Sequence, residues 1–333
     1  MSQYKVAIVG ATGLVGEALT EILESRGFPV SSLIPLASER SRHRQVQFRN
    51  QSIKVEVLNN FDFKGIDFAF FSAGSSVSEH YAPIAAKAGA IVIDNTSQFR
   101  YEDDIPLVVP EVNPDALRNF SKTNIIANPN CSTIQMLVAL NPIHQEATIK
   151  KINVATYQAI SGAGRKTLEI YNHQLTSSDY PNTDDPMLFA HNVIPQIGKF
   201  DEDGNSIEEM KMLWETQKIL NDKDISVNST AVRVPVRFGH SEAVSVQTKQ
   251  PIDLKDIKNL LQSTEGIEVL SDDNLYPVPL IHGEGTDDVF VGRLRKDFTV
   301  ENGFNLWIVA DNIRKGAALN SIQIAELLIE SYI

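Results

Sequence analysis

A turn with three glycines is the feature that most constrains how the start of this chain can fold. The segment Gly10-Ala-Thr-Gly13-Leu-Val-Gly16 follows a short apolar run at residues 6–9. The residues after it carry an apolar stripe at helical spacing that Gly27 and Pro29 end; the stripe consists of Leu14, Val15, Ala18, Leu19, Ile22 and Leu23. A strand, a glycine turn and a helix in this order predict the first part of a βαβ unit.

Short apolar runs alternate with helical patterns through the first third of the chain. The runs lie at residues 6–9, 33–37, 68–71, 91–93 and 125–127. Parallel strands need crossover connections, and a helix is the usual one. This alternation therefore predicts a doubly wound α/β fold with a parallel sheet.

Beyond about residue 130 the pattern changes to longer strands with alternating apolar residues. They lie at residues 151–160, 225–235, 242–249, 289–295 and 306–310. Such alternation predicts a mainly antiparallel sheet with one covered face.

The capping-box sequence Ser206-Ile-Glu-Glu209 predicts a helix that runs to about Leu220. Residues 313–333 predict an amphipathic C-terminal helix, and residues 179–205 a long loop or insertion.

The charge balance and the cysteine count exclude several classes of function. Lys and Arg number 30 against 42 Asp and Glu, which gives a net charge of −12 and argues against extended nucleic-acid binding. One cysteine excludes an intramolecular disulfide framework and a multi-Cys zinc site, and no ligand motif such as HExxH appears, so no metal site is expected. No apolar run reaches membrane length. We expect a cytoplasmic protein that binds no membrane.

The glycine turn has two interpretations. Backbone N–H groups at the start of the following helix can hold the pyrophosphate of a dinucleotide. Glycines in a GxxGxxG spacing can equally serve a tight turn and close helix packing. The end of the second strand, where an adenine ribose would lie, carries Arg40, Arg42 and Arg44, which suit a 2′-phosphate and favour NADP. Glu39 favours a free 2′-hydroxyl instead, and a solvated basic loop is the third possibility.

Cys131 and His240 are the candidate reactive side chains. Cys131 precedes an apolar run at residues 134–140 that is a helix or a buried strand. At a helix N-terminus, the dipole and the free N–H groups would favour a thiolate nucleophile; a lone cysteine can equally be a small buried apolar residue. Among seven histidines, His240 ends a strand-like segment that starts at Arg233, and the neighbouring Gly239 leaves room for its ring. It is a candidate base or a surface histidine.

Taken together, the motifs make the chain resemble the bacterial aspartate-semialdehyde dehydrogenases. The matching segments are VAIVGATGLVG at residues 6–16, SQFR at 97–100, NPNCST at 128–133, TYQAISGAG at 156–164, EEMK at 208–211 with ET at 215–216, RVPV at 233–236, HSE at 240–242 and DNIRKGAA at 311–318. They span nearly the whole chain in the family's order.

The resemblance implies a reaction. It is the reductive dephosphorylation of L-aspartyl 4-phosphate by NADPH to L-aspartate 4-semialdehyde and inorganic phosphate, on the route to lysine, threonine, methionine and diaminopimelate. Cys131 matches the nucleophile that forms an acyl-thioester, and His240 matches the general acid–base. Gln158 would orient the acyl group beside Cys131.

The resemblance also implies binding residues. Arg100, Lys211 and Asn130 would contact the substrate phosphate, Arg233 its carboxylate and Glu208 its ammonium group. The implied NADP(H)-binding positions are Gly10, Thr12, Gly13, Leu14, Val15, Gly16, Ser38, Arg40, Ser41, Ser161, Gly162 and Asn312.

The implied architecture is that of glyceraldehyde-phosphate dehydrogenase. Residues 1–129 would form a Rossmann-type NADP-binding domain, residues 130–311 an α+β catalytic and dimerisation domain, and residues 312–333 a helix that returns to the first domain. A homodimer is expected, or a tetramer built from two dimers. N-acetylglutamyl-phosphate reductase and glyceraldehyde-phosphate dehydrogenase use related chemistry and are alternatives, as is a non-catalytic NADP-binding sensor.

Overall fold

The structure is a computed structural model and describes residues 3–176, 188–270 and 275–333. The chain divides into two compact units, Met1–Asn130 with Ala317–Ile333, and Cys131–Gly316. Of the predicted loop at residues 179–205, residues 179–187 lie outside the described part, and residues 188–205 form neither a helix nor a multi-residue strand. No described helix combines the length and the apolar character needed to cross a lipid bilayer.

The first unit is built on a parallel sheet of six strands. Its elements in chain order are β1 (Tyr4–Val9), α1 (Leu14–Ser25), β2 (Val30–Ala37), β3 (Gln45–Phe48), β4 (Gln51–Lys54), β5 (Glu56–Val57), β6 (Phe68–Phe71), α2 (Ser75–Lys87), β7 (Ile91–Asp94) and β8 (Ile125–Ala127). The sheet has the order β5-β2-β1-β6-β7-β8, and all its pairs are parallel. Strands β3 and β4 form a separate antiparallel hairpin.

The central strands of this sheet are buried on both faces. Every residue of the run Val6, Ala7, Ile8 and Val9 has no exposed surface, as expected for a parallel strand covered on both sides. The chain leaves β1 for β2 on one side and later fills β6 on the other side of β1. The carboxyl end of β1 is therefore the topological switch point, where ligands bind in such sheets. The glycine turn starts there, and the predicted parallel doubly wound fold is confirmed.

The second unit is built on a mixed sheet of six strands. Its elements are α3 (Cys131–Ala147), β9 (Ile149–Gln158), α4 (Arg165–Thr176), α5 (Ile207–Ile219), β10 (Ser226–Arg233), β11 (His240–Thr248), α6 (Leu254–Gln262), β12 (Ile267–Leu270), β13 (Val289–Lys296) and β14 (Gly303–Ala310). The order is β10-β9-β11-β14-β13-β12. The three central pairs are antiparallel and the two outer pairs are parallel, and α3 and α6 cover one face. The predicted fold class is confirmed.

One strand boundary differs from the prediction. The segment from Arg233 to His240 was expected to be one strand that His240 ends, but β10 ends at Arg233 and His240 begins β11. Pro235 cannot donate to a sheet ladder, and Gly239 has a φ of 84° that extended strands do not use. The chain therefore leaves the sheet between these two strands.

The C-terminal helix α7 (Leu319–Ser331) begins later than predicted. A π-helical turn at Arg314–Ala318 precedes it, because the Asp311 carboxylate accepts the N–H groups of Ile313 and Arg314 and holds that turn. In the first unit, the Asn320 side chain donates to the Asn128 side chain at 2.7 Å and to the carbonyl of Val108 at 3.0 Å.

Candidate active site

Three predicted site residues lie in one row across the sheet of the second unit. Arg233 ends β10 and is the parallel register partner of Gln158, which ends β9. The antiparallel register of Ser241 with Tyr157 then places His240, the first residue of β11, opposite Gln158. The three side chains are 7%, 1% and 0% exposed. Sequence positions far apart are thus brought together by strand register alone.

Cys131 is the first residue of α3, so the run at residues 134–140 is a helix and not a buried strand. The residue is half-buried and the chain's one cysteine, and this excludes a fully buried core position for it. Gly316 packs against it: a Cβ on Gly316 would lie 2.7 Å from the Cβ of Cys131 and 3.2 Å from its Cα. Only glycine permits this approach without displacing the start of α3.

Hydrogen bonds fix the Gln158 amide. Its nitrogen donates to the hydroxyl of Ser132 at 3.1 Å and to the Glu208 carboxylate at 3.2 Å. The other oxygen of Glu208 accepts from the ammonium of Lys211 at 2.9 Å, and both side chains of this pair are largely shielded from solvent. Glu208 and Lys211 are therefore not an exposed pair on a helix surface. They form one end of a polar chain that reaches the residue after Cys131.

Helix α5 is held in place by the predicted capping box, which is confirmed. The Ser206 hydroxyl accepts the N–H of Glu209 at 3.3 Å, and the Glu209 carboxylate accepts the N–H of Ser206 at 2.6 Å. The second Glu209 oxygen accepts the N–H of Ala231 on β10 at 2.9 Å. This contact ties the first turn of α5, which carries Glu208, to the strand that carries Arg233.

The Arg233 guanidinium is buried and anchored to the backbone. One of its terminal nitrogens, Nη1, donates to the carbonyl of Ala159 at 2.7 Å. Burial lowers its pKa, while the negative charges of Glu208 and Cys131 act in the opposite direction. Its fork geometry suits a carboxylate.

The same residue, Ala159, sets the proton position on His240. Its N–H donates to Nδ1 of the ring at 3.0 Å, so the proton of the neutral ring lies on Nε2. Burial, and secondly the positive charge of Arg233, lowers the pKa of His240 to about 3. The ring is therefore uncharged at neutral pH. Its Nε2 is buried and has no hydrogen-bond partner among the described residues, which leaves an N–H donor for a ligand.

Three residues predicted to bind cofactor lie next to this row. The side chains of Ser161 and Asn312 are hydrogen-bonded at 3.0 Å, and the Asn312 oxygen also accepts the N–H of Gly239 at 2.9 Å. A Cβ on Gly162 would lie 3.2 Å from Nε2 of His240 and 3.0 Å from a nitrogen of Arg233. A side chain at this position would block the two donors, so glycine keeps them accessible.

In the first unit, the glycine turn has the geometry of a nucleotide cradle. Gly10 has a φ of 94°, and a Cβ there would lie 2.9 Å from the Ser72 hydroxyl, while a Cβ on Gly16 would collide with the carbonyl of Gly10. Gly13 is the N-cap of α1 and provides no side-chain cap. The amides that begin α1, at Leu14 and Val15, therefore face outward with the positive helix end, as a pyrophosphate requires.

The loop after β2 carries both Glu39 and the arginines proposed for the 2′-phosphate, and its contacts show which of these charges are paired. Ser38 precedes a short 3₁₀ turn, Glu39–Ser41, in which the Glu39 carboxylate binds Arg42 at 3.1 Å. The hydroxyl of Ser41 lies 3.3 Å from that of Thr12 in the glycine turn. Arg40 is exposed, and within the described ranges no partner is seen for its guanidinium. The carboxylate is thus paired, and an arginine next to it is available for an anion.

Arg100 and Asn130 belong to the first unit with the glycine turn, whereas the row and Cys131 belong to the second. Arg100 is buried, and its guanidinium donates to the carbonyls of Thr96 and Asn95 at 3.0 and 2.9 Å. Asn130 is buried and immediately precedes Cys131.

Sequence reasoning missed four residues that pack around the site, although each lies in a motif quoted above: Ser132, Thr156, Glu242 and Gly316.

Comparisons with known proteins give a family for this arrangement. The family model "Semialdehyde dehydrogenase, NAD binding domain" matches residues 5–120, and "Semialdehyde dehydrogenase, dimerisation domain" matches residues 140–315. The chain is 52% identical to the aspartate-semialdehyde dehydrogenase of Shewanella violacea over 100% of both chains. It matches the crystal structure of aspartate semialdehyde dehydrogenase II from Vibrio cholerae complexed with ASA with a TM-score of 0.97, at 50% identity and 100% coverage of both chains. The enzyme of Candida albicans with NADP matches with a TM-score of 0.75 at 25% identity, covering 98% of this chain and 99% of that one.

The buried, uncharged ring of His240 predicts a stability that falls in mild acid. Above the ordinary pKa of 6.5 the ring is neutral in the folded and the unfolded chain, and it contributes no pH dependence. Below that value the His240 ring takes up a proton in the unfolded chain, whereas in the folded chain it stays neutral until about pH 3. The free energy of unfolding therefore falls as the pH falls. Between pH 7 and pH 5 this single group should cost about 2 kcal/mol.

The variant His240→Asn tests this prediction, because the Asn oxygen can replace Nδ1 as the acceptor for Ala159 and does not titrate. Urea unfolding at pH 7 and pH 5 should show a loss on acidification that is smaller in the variant by about 2 kcal/mol. An equal loss in both proteins would mean that the ring is protonated in the folded chain.

Proposed function

This chain belongs to the aspartate-semialdehyde dehydrogenase family, and from that membership we propose that it reduces L-aspartyl 4-phosphate with NADPH to L-aspartate 4-semialdehyde and inorganic phosphate. It is an oxidoreductase that acts on an aldehyde group, in amino-acid biosynthesis. The observation that carries the proposal is the row Arg233, Gln158 and His240, adjacent to a half-buried Cys131 at a helix start. The products would supply lysine, threonine, methionine and diaminopimelate synthesis.

The charges of the site match those of the substrate. L-aspartyl 4-phosphate carries a carboxylate, an ammonium group and a phosphate. Arg233 offers a buried fork for the carboxylate, and Glu208 offers an acceptor for the ammonium group. Glu208 and Lys211 neutralise each other at 2.9 Å. A substrate with both an ammonium and a phosphate gives each of them a new opposite charge, so neither is left buried and unpaired.

Arg100 and Asn130 complete the proposed phosphate contacts. The backbone carbonyls that hold the Arg100 guanidinium orient it before substrate binds, which reduces the entropy lost on binding. Asn130 is uncharged and adds a polar contact next to the nucleophile.

Cys131 performs the covalent step. Its thiolate attacks the acyl carbon, the bond from that carbon to the phosphate oxygen breaks, and phosphate leaves with the electron pair. The product is an acyl-thioester, in which the Gln158 amide holds the acyl group in position. Positive charge from the N-terminus of α3 and from Arg233 favours the thiolate that this step needs.

His240 acts at Nε2, the ring nitrogen that Ala159 does not hold. As an uncharged donor it stabilises negative charge on the acyl oxygen in both halves of the reaction. NADPH, when bound, would supply a hydride to the acyl carbon, so that the thioester becomes the oxyanion of a thiohemiacetal on Cys131. As the oxyanion forms the aldehyde C=O, the carbon–sulfur bond breaks, Cys131 leaves as its thiolate and the aldehyde is released.

The residues of the first unit fit a dinucleotide with a 2′-phosphate. The glycine turn from Gly10 to Gly16, with Thr12, Gly13, Leu14 and Val15, would hold the pyrophosphate at the uncapped start of α1. Ser38, Arg40 and Ser41 would hold the 2′-phosphate, and the pairing of Glu39 with Arg42 removes the main repulsion. Ser161, Gly162 and Asn312 would contact the cofactor from the second unit.

These assignments give the units their proposed roles. Residues 1–129 would bind NADP, residues 130–311 would carry catalysis and dimerisation, and residues 312–333 would return to the first domain. N-acetylglutamyl-phosphate reductase activity is disfavoured because an acetylated nitrogen offers Glu208 no ammonium group. Glyceraldehyde 3-phosphate has no amino-acid head group for Arg233. A non-catalytic sensor would have no need of a half-buried thiol and a buried N–H donor.

A homodimer would form through the face of the second sheet that α3 and α6 do not cover. This face carries the rings of Tyr157 and Trp307, whose centroids lie 5.4 Å apart with their planes tilted by 47°, and the small residue Ala243, which is the register partner of Trp307. Sedimentation equilibrium should report a dimer, or a tetramer of two dimers, for the natural protein. The variant Ala243→Arg should shift it towards the monomer; a dimer of unchanged stability would place the interface elsewhere.

Catalysis is tested in the reverse direction. Purified protein with L-aspartate 4-semialdehyde, phosphate and NADP⁺ should form NADPH, and omission of phosphate should prevent it. Cys131→Ser should lower kcat by about a thousandfold or more, because the thioester cannot form at a useful rate. NADPH affinity, measured by fluorescence, should stay within about twofold. Faster turnover of N-acetylglutamate semialdehyde, or ordinary activity in the variant, would contradict the proposal.

The cofactor preference is tested at Arg40. Arg40→Ala should raise the KM for NADPH by about tenfold, the loss expected for one charge-assisted phosphate contact, with little change for NADH. Arg118→Ala removes the same charge from an exposed position in the segment Pro114–Lys122 of the first unit and serves as the matched control, with little effect on either cofactor. An equal loss for NADPH and NADH in Arg40→Ala would argue against a 2′-phosphate contact.

A further inference from the structure

Glu242 is a buried carboxyl group that the proposed reaction does not use. It lies two residues after His240 on β11, where alternation places both on the sheet face that α3 covers, and its strand neighbours are Thr156 on β9 and Ile308 on β14. Its exposed fraction is 0%. A carboxyl group in such a position costs free energy unless something compensates for the lost water.

The side chains that face this carboxyl come from the first turns of α3. They are Ser132, directly after Cys131, and Gln135, one turn further along the helix, and both are fully buried. Both oxygens of Glu242 and both polar atoms of Gln135 lack a well-formed hydrogen bond to any described residue. Among the described residues, these four buried atoms therefore face only each other and the Ser132 hydroxyl.

The inventory of donors and acceptors decides the protonation state that fits. An ionised carboxylate has acceptors only, so it can accept from the amide nitrogen of Gln135 and from the Ser132 hydroxyl, but it has no proton to give to the amide oxygen of Gln135. A carboxylic acid offers one donor and one acceptor, which match the acceptor and the donor of a primary amide. The hydroxyl of Ser132 already accepts from Gln158, and its second lone pair can accept the proton of the Glu242 acid.

The charges around Glu242 favour the same state. Burial raises its pKa well above the ordinary value, and Gln135 and Ser132 only partly offset this. The polar groups nearest along the neighbouring elements are uncharged: Thr156 and Gln158 on β9, and the neutral ring of His240 on β11. Glu208 on α5 is bound to Gln158 and Lys211. Among the described residues, no cation is one of the groups that shift the pKa of Glu242.

We propose that Glu242 is a positioning residue that works as an uncharged carboxylic acid: paired with Gln135 and Ser132, it fixes the first turn of α3 and the Ser132 acceptor that orients Gln158. The inference rests on the proposed function, because Gln158 and Cys131 are the groups it would position. A neutral Glu242 also adds no negative charge near the thiolate of Cys131. An ionised Glu242 would add one and would disfavour the thiolate.

Infrared difference spectra test the protonation state without any need for activity. The spectrum of the natural protein minus that of Glu242→Gln at pH 7.5 should contain a carboxylic-acid C=O band that shifts in D₂O. Subtraction removes the signals of other buried acids, such as Asp94 and Asp311, whose pKa values burial also raises. A carboxylate band lost in place of the acid band would overturn the proposal.

Alkylation of Cys131 gives a second readout, and with one cysteine in the chain its signal is unambiguous. Glu242→Gln replaces a neutral acid by a neutral amide, so the pH midpoint of the iodoacetamide reaction should be unchanged. If Glu242 were ionised, the substitution would remove a negative charge near the thiol and move that midpoint to lower pH. Such a shift would contradict the proposal.

Kinetics separate positioning from simple packing. Glu242→Leu should lower kcat for semialdehyde oxidation by about tenfold or more, because it leaves Gln135 and Ser132 without their partner, and Glu242→Gln should recover most of that loss. NADPH affinity should be unchanged in both. If Glu242→Gln folds with the natural melting temperature but is as slow as Glu242→Leu, the positioning role is wrong. If the natural protein oxidises no semialdehyde, the proposed function fails, while the infrared result still reports on Glu242.

Discussion

The register of β9 between β10 and β11 is the constraint on which the candidate site depends. It aligns Arg233, Gln158 and His240 in one row, although they come from three strands and are separated by long stretches of chain. A slip of one residue in any of the three would turn that side chain to the other face of the sheet. The hydrogen bonds of Ala159, which donates to His240 and accepts from Arg233, follow directly after the row and depend on the same alignment.

This alignment separates the charged side chains of the site from its uncharged polar side chains. Glu208 and Lys211 form an ion pair on one side, whereas the ring of His240 and the amide of Gln158 within the row are uncharged, as is the acid of Glu242 in our proposal. Low dielectric strengthens each interaction with a bound ion and penalises each unpaired charge. A site built in this way favours negative charge on the thiolate, on the acyl oxygen and on the anionic groups of the substrate that its arginines would bind.

The sequence predicted what depends on local pattern. The strand and helix around the glycine turn and the capping box before Ile207 follow from residues close together in the chain, whereas the run after Cys131 was left open between a helix and a buried strand because its residues are apolar on nearly every face. Strands β3 to β5 and β12 were missed because they are short and their polar residues give no clear period. The late start of α7 was missed because Asp311 binds the N–H groups of the turn before it. The position of Glu242 opposite Gln135 was missed because these residues lie about a hundred positions apart in the chain. A long-range contact leaves no periodic signal.

The division of the chain adds a last constraint on the nucleophile. The chain passes from the first unit to the second between Asn130 and Cys131, and returns between Gly316 and Ala317. Gly316 packs directly against Cys131, so the two crossings are adjacent at the start of α3. The proposed nucleophile is thus the first residue of the second unit, and the close approach of Gly316 fixes its Cα and Cβ at the start of α3.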